Sequence, residues 1–179
     1  MTSVSIVREK EVGTMEVLLV SPVRPVKIVF AKMIPYFVIS FVILVMILLL
    51  SHYLLDVPMS GGVWGIFSLS LLYLLLSLSL GLLVSTIAKT QVAALLISAM
   101  VMMIPVLLLS GMIFPIENLP EIFQVLSTIV PARWYIDAIR KMMIQGVPLM
   151  AVWKNSTILL AMTIMFIVIS LKKFNDKLE

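Results

Sequence analysis

Apolar residues in this chain neither alternate nor mark a single helical face; they run on. Four stretches do this: Ile28 to Tyr53, Val63 to Ala88, Gln91 to Phe114 and Pro148 to Leu171. Lys32 and Lys154 are the only lysines inside them, each near an end, and the second stretch carries no charge. A bilayer core about 30 Å thick is crossed by roughly 20 residues rising 1.5 Å each, so each stretch is long enough to span. Without water, backbone N–H and C=O groups must be bonded within the segment, which predicts helices. A β-barrel would instead show alternating segments of about ten residues. The pattern predicts four transmembrane helices over 28–53, 63–88, 91–114 and 148–171. Polar segments join them at 1–27, 115–147 and 172–179.

Composition agrees. Hydrophobic residues make up 62% of the 179 and charged residues 12%, with a mean hydropathy of +1.20. Soluble domains run at about 45–50% apolar and about 25% charged. These values exclude a soluble enzyme, a nucleic-acid reader and a disordered tail, and no nucleic-acid partner is expected. The absence of cysteine excludes a disulfide scaffold. No small-residue cleavage site follows the first apolar run, so a removable targeting segment is not expected.

The basic residues set an orientation. Arg8, Lys10, Arg24, Lys27, Lys32, Lys89, Lys172, Lys173 and Lys177 are nine of the thirteen, and the topology puts them on one face. The positive-inside rule makes that face cytoplasmic, with both termini there. Arg133, Arg140, Lys141 and Lys154 fall in the outer connection, with Glu117, Glu121 and Asp137. The net charge of +4 then reflects loops facing an anionic leaflet.

Two segments that do not span carry more information. In Ile6 to Pro22, Arg8, Glu9, Lys10 and Glu11 form a mixed-charge cluster. Thr14 can cap a short helix with Glu16 in its first turn, where a negative charge suits the helix dipole. Met15, Leu18 and Leu19 share a face, and Ser21-Pro22 ends the run. Two readings fit: an interfacial helix lying on headgroups, or a docking lever gripped by a cytoplasmic partner. In Phe114 to Gly146, Pro115 and Pro120 bracket a turn. Ile122, Val125, Leu126 and Ile129 line one helical face, and Pro131 breaks that helix. Ile136, Ile139 and Met143 then oppose Asp137, Arg140 and Lys141. This predicts a re-entrant or surface-lying hairpin, which implies a packed multi-helix body, a pathway mouth or a structural cap over the helix ends.

Catalytic chemistry lacks its parts. His52 is the only histidine, so histidine-based metal clusters and Ser-His-Asp triads have nothing to build on. Neither G-x-S-x-G nor H-E-x-x-H occurs. With no charge mid-span, a proton relay is disfavoured. Pro105 marks a kink, and Ser77, Ser79, Ser98 and Ser110 suit close helix packing. No cofactor or metal is expected. A membrane body of this kind that moves cargo must borrow its energy or be passive.

Arg8-Glu9-Lys10-Glu11, Gly13-Thr14-Met15-Glu16, Leu18 and Ser21-Pro22 together resemble the cytoplasmic signature of ABC-2 type transporter permeases, roughly R-E-x-E-x-G-T-x-E-x-L-x-x-[ST]-P. Leu109-Ser110-Gly111, Phe114-Pro115-Ile116-Glu117, Pro120, Pro131, Tyr135, Arg140 and Gly146 are similar to that family's stretch before its last helix. The resemblance covers nearly the whole chain. It departs at Lys27, where many members are acidic, and at Ala31, where many have glycine. It implies a membrane subunit of an ATP-driven exporter that pairs with a second permease subunit as a homo- or heterodimer. Each subunit would dock on a separate nucleotide-binding ATPase, which holds the ATP. Arg8, Glu9, Glu11, Gly13, Thr14 and Glu16 would form the coupling element. Gly111, Phe114, Pro115, Glu117, Pro120, Pro131, Tyr135, Arg140 and Gly146 would form the outer re-entrant segment. Family subunits usually carry six spans, so these four would be the third to sixth. The chain is then either a short or split subunit or the C-terminal part of a longer product. The alternative function is a membrane scaffold or assembly subunit that transports nothing.

Overall fold

The computed structural model describes Val4, Val7, Arg8, Glu11 and residues 25–175. The described backbone is helical, with no strand among the described residues. Helix α1 runs Pro25–Tyr53 and α2 runs Val63–Ile87. The third apolar stretch divides into α3 (Gln91–Ser98), a π-helical turn (Ala99–Met103) and α4 (Ile104–Leu109). A 3-10 turn (Ile116–Asn118), α5 (Glu121–Ser127), α6 (Pro131–Ile144) and a second 3-10 turn (Leu149–Val152) lead into α7 (Trp153–Asn175). Four helical spans, Met33–Tyr53, Val63–Ile87, Gln91–Leu109 and Leu149–Lys173, are long and apolar enough to cross a bilayer.

The π-helical turn has a local cause. Pro105 has no N–H to give the Val101 carbonyl, and its ring crowds that carbonyl. The backbone widens just before it, and the Ile104 N–H reaches back to the Ala99 oxygen, five residues away. Helical backbone in this span ends at Leu109, short of Phe114. Gly111 then turns the chain at φ 80°, a left-handed conformation that glycine adopts without steric cost.

Helix α2 is the central element; it packs most extensively on α7 and also touches α1, α3 and α6. The core joins Ile66, Leu69 and Leu76 of α2 to Ala138 and Met142 of α6, and to Val152 and Leu159 leading into and along α7. Small residues permit the approach. A Cβ on Gly65 would lie 2.7 Å from Met142 Cε and 3.3 Å from Leu149 Cβ. In the α1–α2 loop, the Gly61 N–H donates to the Met142 carbonyl at 2.9 Å. The C-terminal end of α6 is thereby fixed against the beginning of α2. The three-residue link between α2 and α3 lies at the other end, about 37 Å away along a helix of 25 residues.

The structure places the two helical faces expected in the connection before α7. In α6 the buried positions are Ala132, Ala138 and Met142, with Tyr135, Ile139 and Met143 packed on the core beside the last two. Ile139 and Met143 of the expected Ile136–Ile139–Met143 side thus pack on the core, and Ala138, one position aside, is small enough to bring α6 close to α2 and α7. At α5 and just beyond it, Ile122, Val125, Leu126 and Ile129, expected to line one face, are all exposed.

Candidate functional site

A cavity of about 630 Å³ forms a groove at span depth. Helix α1 contributes Tyr36, Ser40 and Ile43, α2 contributes Ser70, Tyr73 and Ser77, the third span contributes Ser98 and Met102, and α6 contributes Tyr135. Its lining combines isoleucine and leucine side chains with seven serine and tyrosine hydroxyls and includes no charged residue. Tyr73 and Tyr135 stack face to face, with centroids 4.2 Å apart and planes 6° from parallel. The Tyr135 hydroxyl lies 3.0 Å from Ser70 Oγ, which also donates to the Ile66 carbonyl at 2.8 Å. Tyr73 sits ten residues into α2, about 15 Å along it, so α6 reaches well below the start of that span. A second cavity of about 550 Å³ lies across Tyr73, Ser77 and Met102, and Met100, Val101 and Pro105 also line it. The π-helical turn therefore stands between the two spaces.

Above the groove, polar groups fasten α5, α6 and α7 to one another. Lys141 Nζ donates to Asp137 Oδ2 at 2.8 Å, and Asn155 Nδ2 donates to the same oxygen at 2.9 Å and to the Trp134 carbonyl at 3.0 Å. Partial burial alone would raise the Asp137 carboxyl. The hydrogen bonds from Lys141 and Asn155, with the positive charges of Lys141 and Arg133, outweigh it and hold the group below its ordinary value. Arg133 donates to the Gln124 carbonyl at 2.9 Å and to Ser127 Oγ, and its guanidinium lies 5.5 Å from the Trp134 ring centre. Trp134 Nε1 donates to the Thr128 carbonyl at 2.9 Å. Most of the charge in this connection thus goes into bracing the chain.

At the opposite end, Val7 is fully buried with Ala88 and Ala94. Glu11 Oε2 accepts from the Gln91 backbone N–H at 3.2 Å and from Gln91 Nε2 at 2.8 Å. Thr90 caps the same helix, its hydroxyl accepting from the Ala93 N–H at 3.2 Å. Arg8 is exposed.

Residues 1–172 match the family described as ABC-2 family transporter protein. The chain belongs to the ABC-2 transporter family. It is 32% identical over 180 residues to the probable multidrug ABC transporter permease YbhS of Escherichia coli, covering all of this chain and 48% of that protein. It is 32% identical over 162 residues to the probable multidrug ABC transporter permease YbhR of the same organism, covering 90% of this chain and 44% of the relative. ABC transporter G family member 20 of Dictyostelium discoideum is 31% identical over 178 residues, covering 98% of this chain and 24% of the relative. The chain spans about half the length of the bacterial relatives it matches. No solved structure matches it.

Of the ABC-2 signature positions, Arg8 and Glu11 are described, whereas Glu9, Gly13, Thr14 and Glu16 lie outside the described residues, as do Met15, Leu18, Leu19 and Ser21-Pro22. The second set is placed as follows. Arg140 Nη2 donates to the Gly111 carbonyl at 3.2 Å, joining two of its members across 29 positions. Pro115 and Pro120 each stand just before a helical turn, and Pro131 opens α6. Gly146 leaves α6 at φ 69°. Tyr135 reaches the groove, whereas Phe114 and Glu117 are exposed and contribute no side chain to it. Sequence reasoning passed over Tyr36, Ser40, Ser70 and Tyr73. A tyrosine and a serine one turn apart in an otherwise aliphatic run were a faint signal, but nothing in the pattern pointed Tyr73 toward α6.

Proposed function

We propose that this chain is part of the membrane-spanning permease of an ABC exporter, driven by a separate ATPase subunit and paired with a second permease subunit. The observation that carries this reading is the charge-free, hydroxyl-bearing groove at span depth, bounded by three spans and by α6. Such a lining costs an apolar or amphipathic molecule little on entry, whereas a bare ion would lose its hydration there without a compensating charge. The cargo is accordingly an uncharged or amphipathic organic molecule. The relatives named as multidrug permeases fit this class.

The end carrying Glu11, Lys89 and Lys172 is the cytoplasmic one, by the excess of lysine and arginine there. The connection from Phe114 to Gly146 is an outer re-entrant cap, and both termini face the cytoplasm of a cell or inner membrane. Energy enters through the segment around residues 8–19. ATP-driven closure of the partner displaces that segment, and differential contact in two states moves the helices between inward and outward access.

The test is reconstitution of the full transporter, with its ATPase, in lipid vesicles. ATP-dependent movement of a fluorescent amphipathic dye, lost when Tyr73 and Ser77 are both replaced by bulky Trp, supports the reading. Crosslinks from residues 8–19 should trap the ATPase. Recovery of the chain with partners that lack ATPase activity, and without dye movement, favours the scaffold alternative instead.

A further inference from the structure

The contacts at the 88–91 corner assign a specific job to one of the signature acids. Helix α3 has no acidic residue in its first turn, although its first N–H groups lack intrahelical partners and attract negative charge. Glu11 supplies that charge from 80 positions away, bonding both the backbone and the side chain of Gln91. Beside it, Val7 is fully buried against Ala88 and Ala94, with Val4, Ala93 and Ile97 around them. A polar clasp and an apolar plug thus fix the same short segment to the start of the third span. The link from α2 is only three residues long, so a displacement of the segment passes directly into α3. Eight residues further on, the span changes from α to π geometry ahead of Pro105, and this is the place where it parts the two cavities.

We propose that Glu11 is an internal latch rather than a charge presented to the ATPase. It ties the coupling segment to the third span, so that the motor's stroke is delivered to α3 and taken up as bending at residues 99–105. Glu11 and Arg8 are both exposed, but Glu11 commits a carboxylate oxygen to Gln91, so Arg8 is left to face the partner. This inference rests on the transport reading above, but the latch itself is measurable without transport.

These 179 residues contain no cysteine, so an introduced pair meets no native thiol among them. In membranes from cells making the complete transporter, Val7→Cys with Ala94→Cys is expected to form a disulfide on mild oxidation, whether or not ATP is present. Failure to crosslink in either state overturns the latch. In reconstituted vesicles, Glu11→Ala is expected to lower dye moved per ATP hydrolysed about tenfold, the scale of a lost charge-assisted hydrogen-bond pair. ATPase binding and ATP hydrolysis should remain near normal. Glu11→Gln, which keeps an accepting oxygen, is expected to recover part of that loss. If Glu11→Ala instead releases the ATPase, the acid faces the partner and the inference fails. A disulfide-locked 7–94 pair that stops transport also overturns it, because a latch that travels as a unit tolerates being locked. Absence of ATP-driven movement in the unaltered complex, with the 7–94 disulfide still forming, would sink the exporter reading and leave the clasp standing.

Discussion

Gly61 offers the sharpest test of how the α1–α2 loop is held to α6. A methyl group built there would lie 2.6 Å from two backbone oxygens, those of Met142 and Val147, and 3.0 Å from the Met142 Cα. None of these atoms can rotate away. Gly61→Ala must push the loop off α6 and break the 2.9 Å bond from its N–H to the Met142 carbonyl. One backbone hydrogen bond contributes about 1 kcal/mol net, and forced overpacking costs about 1–3 kcal/mol, so the expected loss is about 2–4 kcal/mol. Each kcal/mol lowers the melting temperature by about 2–4 °C at this chain length, which predicts a fall of roughly 4–16 °C. Two neighbours act as controls. Gly65→Ala meets chiefly the mobile Cε of Met142 at 2.7 Å, which can swing aside, so it should cost less. Gly62→Ala meets nothing within 4 Å. It pays only for its φ of 91°, about 1–2 kcal/mol. The assay is thermal unfolding in detergent, followed by tryptophan fluorescence and by protease cleavage between α5 and α6. Equal melting temperatures for Gly61→Ala and Gly62→Ala would refute the claim that backbone contact at Met142 and Val147 holds this joint.

Two further outcomes are expected. Tyr135→Phe keeps the ring stacked on Tyr73 and leaves Ser70 its bond to the Ile66 carbonyl, so it should cost only about 0.5–1.5 kcal/mol; Tyr135→Ala opens the groove and should cost about 3–5 kcal/mol, both read from melting in detergent. Because Asp137 titrates below its ordinary 3.8, its contribution to the α6–α7 joint is complete above about pH 5 and is lost progressively as pH falls through the lowered value. Melting temperatures taken from pH 7 down to pH 3 should show that step, and Asp137→Asn should abolish it.

Much of this protein was legible as a string. Bilayer thickness converts apolar length into a helix, so the existence and rough extent of four spans followed from the run lengths alone. Pro105 announced a disturbance in the third span, and Pro131 the start of α6. The signature acids and glycines carried the family. Pairing was not legible. Helices α1 and α2 are apolar around nearly their whole circumference, and such a helix carries no directional pattern to say which side meets which neighbour. That α2 became the centre, that Ala138 and Met142 were the α6 positions buried deepest against it, and that Tyr135 found Tyr73 were decided by close approach at Gly61, Gly65 and Ala138. The same holds for Glu11, whose charge was visible but whose partner lay 80 positions away. Length and polarity are properties of a segment, readable in one dimension. The choice of a packing partner depends on which small residues, hydroxyls and free helix ends the folded chain brings within contact distance, and only the tertiary structure supplies that.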